Sequence, residues 1–117
     1  MKKKLRIAVA TNGKRGLEDT VTEVFGRAKT FTLADIENGA IQILKIIENP
    51  ALPYEHGAGP IAVKELVDSK VDMVIAPQLG HGASSILKHH GIAINLAKDG
   101  TKVAQAIEDA LKKAYKK

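Results

Sequence analysis

Two short loops carry the side chains whose type and spacing could do chemistry. Tyr54-Glu55-His56-Gly57-Ala58-Gly59-Pro60 sets one imidazole among small residues, and Pro60 falls where a helix would begin, a position that tolerates a missing N–H. His81-Gly82-Ala83-Ser84 then repeats the His-Gly-Ala unit. Each unit stands between a strand-like and a helix-like run. Such loops leave backbone N–H groups uncovered at the positive end of a helix, which suits an anion. Imidazole adds a common metal ligand and a useful anion donor, so His56 and His81 are the candidate metal ligands. Gly57, Ala58, Gly59, Gly80 and Gly82 are candidates for close backbone approach to a ligand, although backbone geometry alone could also demand glycine there. Tyr54 reads as a loop packing residue.

Other chemistries find less support. The chain has no cysteine, which excludes disulfides, thiolate metal sites and cysteine nucleophiles together. A two-metal nuclease needs several carboxylates at the carboxyl ends of strands. Here the first strand ends in Ala10-Thr11, Asp35 and Asp72 fall near the opposite edge, and Glu48 and Glu55 alone do not make that site. Ser84 and Ser85 adjoin His81 too closely in sequence to argue a triad, and no Gly-x-Ser-x-Gly elbow, Walker loop or dinucleotide fingerprint is present. The chain reads as a binder and not as an enzyme.

The 117 residues predict one domain, 1–117, with the 44% apolar and 26% charged content of a globular protein. The formal charge of +5 is concentrated at the ends: Lys2, Lys3, Lys4, Lys112, Lys113, Lys116 and Lys117 supply seven of the 18 basic residues, and the body carries more acid than base. With 3% aromatics there is little for bases to stack on, so no specific nucleic-acid binding is expected. No apolar run approaches the ~20 residues of a membrane span, and Leu5–Ala10 is too short for a signal-peptide core, which points to a cytoplasmic protein.

The elements that must position these residues follow in order. Leu5–Ala10 reads as a buried central strand ending at the turn Thr11-Asn12-Gly13. A long polar connection, Lys14 to Lys29, precedes two strands, Thr30–Ile36 and Ile41–Glu48, joined by the hairpin signal Asn38-Gly39. A helix to about Asp68, a strand over Val71–Ala76, a short helix over Ser84–His90, a strand over Ile92–Leu96 and a helix spaced on Val103, Ala106, Ile107, Ala110 and Leu111 complete the chain. The order β-β-β-α-β-α-β-α implies an α/β fold with a mixed sheet of about five strands and helices on its faces. Its first strand is central and its second antiparallel to the rest, a ribonuclease H-like motif by analogy of fold. Ligands in open α/β sheets bind beyond the carboxyl ends of the strands. Asn12, Arg27, His56 and His81 all lie on loops at that edge, whereas His89, His90 and the lysine-rich ends belong at the other. Asn12 is also well placed for simple turn chemistry.

The assembled residues resemble the dinitrogenase iron–molybdenum cofactor-binding and biosynthesis domain family over about Leu5 to Ala110. The likeness is carried by Ile7-Ala8-Val9-Ala10-Thr11, Val24-Phe25-Gly26-Arg27-Ala28, Glu48-Asn49-Pro50, His56-Gly57-Ala58-Gly59 and Val74-Ile75-Ala76-Pro77-Gln78-Leu79-Gly80. The resemblance implies a ribonuclease H-like fold and non-catalytic binding or carriage of an iron–sulfur-type cluster, the iron–molybdenum cofactor or a relative. Its partners would be cluster-delivering and cluster-receiving proteins. Carried over by position, His56 with its glycines and then Arg27 are the site, while His81 has no dependable counterpart in the family. Without cysteine, a cluster would be held by imidazole, backbone N–H groups and arginine. Two other classes stand beside this one: a module for a small phosphorylated or carboxylated anion without metal, and an interaction protein using an exposed sheet edge or its lysine tails. Thr30–Ile36 and Ile41–Glu48 include an edge strand, which would allow pairing between subunits.

Overall fold

The structure is a computed structural model and describes residues 4–114. Lys2, Lys3, Lys116 and Lys117 lie outside the described residues. Five strands, β1 (Lys4–Thr11), β2 (Thr30–Glu37), β3 (Ala40–Glu48), β4 (Met73–Ala76) and β5 (Ala93–Leu96), form one sheet in the order β3-β2-β1-β4-β5. Three helices, α1 (Ala58–Asp68), α2 (His81–His89) and α3 (Val103–Ala114), complete the α/β fold.

β1 lies at the centre, antiparallel to β2 over its whole length and parallel to β4, and β4 is parallel to β5. Every residue from Ile7 to Thr11 is buried, which is why this strand reads as a continuous apolar run instead of an alternation. Its residues nevertheless divide by face. Ile7 and Val9 join Ala34, Ile36 and Ile75 under Val103, Ala106, Ile107 and Ala110 of α3. Ala8 and Ala10 face the other way, toward Ala62, Val63 and Leu66 of α1 and Leu87 of α2. The small side chains of β1 leave room on that face for Phe25 and Phe31, whose rings sit 5.4 Å apart at 47°.

β2 and β3 form the hairpin expected from Asn38-Gly39, whose φ values of 53° and 83° are both left-handed, as a tight two-residue turn requires. β3 is the sheet edge, with Ile41, Ile43 and Leu44 exposed. At the edge opposite the carboxyl ends, the Arg6 guanidinium clasps both Asp35 oxygens (2.7 and 3.2 Å) and the Ser69 carbonyl (2.8 Å), while Asp72 accepts the Arg6 backbone N–H. The Asp35 hydrogen bond raises the Arg6 pKa further. The long connection after β1 holds two 3-10 turns, Gly16–Glu18 and Phe25–Arg27, the second of which reaches the carboxyl edge of the sheet. No helix among the described residues is long and apolar enough to cross a membrane.

Candidate functional site

α1 and α2 start side by side at the carboxyl edge of the sheet. Both begin earlier than their apolar spacing indicates, because glycine's poor helix propensity conceals the first turn and tertiary packing overrides it. The second helix, read as Ser84–His90, starts at His81, and Pro60 is the third helical residue of α1. The two starts lie close together: the position of an added Cβ at Gly59 lies 3.6 Å from Ala83 Cβ, and one at Gly82 lies 3.9 Å from Pro60 Cγ.

This placement changes the meaning of the repeat. Gly57 is the N-cap of α1, so His56 stands outside the helix; Gly80 is the N-cap of α2, so His81 is its first residue. The two His-Gly-Ala units are therefore two positions out of register. The positions that do correspond are the caps Gly57 and Gly80 and the second helical residues Gly59 and Gly82. The structural repeat is Gly-x-Gly.

Between these starts and the turn Phe25–Arg27 lies a cleft of about 490 Å³, within the usual range for small-molecule sites. Arg27, Gly57, Ala58, Gly59, Gly80 and Gly82 line it with Val24, Phe25, Gly26, Pro60, Gln78, Leu79 and Ala83. Six of the nine candidates from the sequence thus meet in one place. Asn12, His56 and His81 are not in the lining. The Asn12 side chain donates to the Thr20 hydroxyl at 2.9 Å, bracing its own loop, and both histidines are exposed beside the helix starts. Gln78 and Leu79 are cleft residues that sequence reasoning did not single out, although they fall within a stretch quoted for the family likeness.

The chemistry of the cleft is one-signed. The first intrahelical bonds run from Ile61 N–H to Gly57 O and from Ser84 N–H to Gly80 O, so the N–H groups before them have no helical acceptor. No side chain caps either helix and no acid occupies either first turn. Arg27 is the single formally charged residue in the lining. Its guanidinium donates to Leu52 O (3.3 Å) and Glu55 O (2.9 Å), which fixes it beside the loop that leads into α1. Such an arrangement favours an anion through backbone dipoles and one fixed cation. Among the described residues no group of three or more His, Asp or Glu is gathered to hold a metal ion. A 380 Å³ depression at the opposite edge contains Arg6 and Asp35, whose charges are already paired.

Fold and site together define a small α/β domain with a glycine-rich, acid-free cleft at the carboxyl edge of a mixed sheet. The chain belongs to the dinitrogenase iron–molybdenum cofactor family, whose profile matches residues 3–113. It is similar to the apo form of the orange protein from Desulfovibrio gigas, at 30% identity and a TM-score of 0.83, covering 93% of this chain and 88% of that one. A NifB-like protein from Thermotoga is 32% identical with a TM-score of 0.71 over the same shares of the two chains. A dinitrogenase-like protein from Methanocaldococcus jannaschii, 17% identical with a TM-score of 0.70 over 97% of this chain and 92% of that one, shares the fold. An uncharacterized protein of the same organism is 36% identical over 70 residues, which are 60% of this chain and 59% of that relative's length.

Proposed function

We propose that this protein is a non-catalytic carrier for an anionic iron–sulfur-type metal cluster, the iron–molybdenum cofactor or a relative, bound as cargo in the cleft between α1, α2 and Arg27. It acts as a single cytoplasmic domain with the ribonuclease H-like motif, taking cargo from a delivering protein and passing it to a receiving one. One observation carries this reading: two uncapped, acid-free helix starts and one guanidinium converge on a single cleft in a member of a cofactor-associated family. The donor set suits it. Backbone N–H groups and a guanidinium hold the sulfide surface of an anion without covalent bonds, which favours transit over permanent residence. His56 and His81, exposed beside the cleft, are the imidazoles available to add a metal bond.

Anaerobic titration with isolated iron–molybdenum cofactor and with synthetic iron–sulfur clusters, followed by co-elution and visible absorbance, tests the proposal. Stoichiometric binding is expected. Arg27→Ala should weaken it about tenfold or more, the scale of one charge-assisted contact. Loss in His56→Ala or His81→Ala identifies imidazole as a metal ligand. Retention in both assigns the hold to backbone and arginine.

The same donors favour a second reading, a metal-free module for a small phosphorylated or carboxylated anion, because no His, Asp or Glu stands in the cleft lining. Orthophosphate binding that needs Arg27, with no uptake of either cluster, would select it.

A further inference from the structure

We propose that Asn49 is a positioning residue for the anion cleft: it never meets the ligand and acts by setting the guanidinium of Arg27. This inference rests on the cleft being an anion site. The Phe25–Arg27 wall of the cleft is joined by a reciprocal clasp to the loop that leads into α1. Asn49, only 4% exposed, sends its side-chain N–H groups across to Gly26 O at 3.1 Å and Ala28 O at 2.9 Å, the carbonyls immediately before and after Arg27. Its side-chain oxygen accepts the Ala51 N–H at 2.9 Å, which fixes its own loop. Arg27 reaches back in the other direction to Leu52 O and Glu55 O on that same loop. Each segment is thus held by a side chain of the other through backbone carbonyls.

The chemistry of the two members separates their roles. The Asn49 amide has both N–H donors and its oxygen engaged below the surface, so it has no donor to offer a ligand. A guanidinium carries five N–H donors, and Arg27 uses one on each of two carbonyls. That holds the fork in one orientation and leaves three donors on a group that lines the cleft. Among the described residues, Arg27 is also the one long-range hydrogen-bond partner of the exposed run Leu52 to His56. Loosening the backbone on either side of Arg27 therefore frees the guanidinium and the loop together, and the entropy of reordering both falls on binding.

Asn49→Ala tests this in titrations, since it removes both donors without adding a charge near the cleft; Asn49→Asp, which keeps the shape and the Ala51 bond, serves the ligand-free readout. Without ligand, the NMR signals of the Arg27 guanidinium should broaden or average in Asn49→Asp while core amide signals of β1 stay in place. In titrations with isolated iron–molybdenum cofactor and with orthophosphate, Asn49→Ala and Arg27→Ala should each lose about tenfold in affinity, as outer-shell changes commonly do. The double variant should be no weaker than Arg27→Ala alone, because one residue acts through the other. Unchanged guanidinium signals, or losses that add, would overturn the proposal. Wild-type protein that takes up neither probe would end the anion reading of the cleft. The positioning of Arg27 by Asn49 would then stand or fall on the guanidinium signals alone.

Discussion

An added Cβ at Gly26 would lie 3.0 Å from the Gly59 nitrogen and 3.3 Å from the Ala58 carbonyl carbon, both of them backbone atoms with little freedom to yield. Gly26→Ala should therefore push the turn Phe25–Arg27 off the start of α1, costing ~1–3 kcal/mol of stability and opening the cleft wall at the same time. Gly57 is glycine for another reason: its φ is 75° and nothing stands within 4 Å of an added Cβ. Gly57→Ala should lose about 1 kcal/mol to left-handed strain while leaving the cleft its shape. Thermal melts should show both variants lowered, by ~4 °C per kcal/mol. Anion titration should show affinity falling in Gly26→Ala. At this scale the sequence was legible wherever a residue type has few uses. The His-Gly-Ala loops drew attention to the edge at which Arg27 and the glycines meet in one cleft. Asn49 was not legible as a structural residue, because an asparagine before Pro50 reads as turn chemistry; that its amide spans to Gly26 and Ala28 depends on chain distant in sequence.

The helices show how a charge deficit can be local to an element. α1 and α2 each forgo an acidic first turn and a capping side chain, two ordinary sources of helix stability. Gly80 offers a direct test, since its backbone is extended (φ −64°, ψ 160°) and an added Cβ meets nothing. Gly80→Asp supplies a cap and a negative charge at the α2 start, so stability should rise by about 0.3–1 kcal/mol. On the anion reading of the cleft, affinity should fall, because the carboxylate sets a like charge at the α2 start. A variant that melts higher and still binds as wild type would show that the α2 start takes no part in holding the anion. The strand pattern and the Asn38-Gly39 hairpin followed directly from local chemistry, whereas the central place of β1 and the antiparallel β2 were expected by analogy of fold. The helix starts were not legible: glycine's poor helix propensity makes a first turn look like loop, so His81 was read as loop and is helical.

Among the described residues, the end lysines Lys4, Lys112 and Lys113 lie away from the candidate site. β1 begins at Lys4 on the edge away from the cleft, and eight residues of strand separate the two edges by about 25 Å. α3 runs back toward that far edge and carries Lys112 and Lys113 in its last turn. The screening length is ~8 Å at physiological ionic strength, so charges this far off contribute little to binding at the cleft. Lys112→Gln with Lys113→Gln should change anion affinity by less than about twofold near 0.15 M salt, while Arg27→Ala removes about tenfold or more. At ~0.01 M salt the screening length grows to ~30 Å, and the lysine variant should then lose measurably, because the field of the whole chain reaches the cleft. Orthophosphate titrations at the two salt concentrations make the comparison. Equal losses in both variants at the higher salt would mean that net charge, and not the converging helix starts, draws the anion.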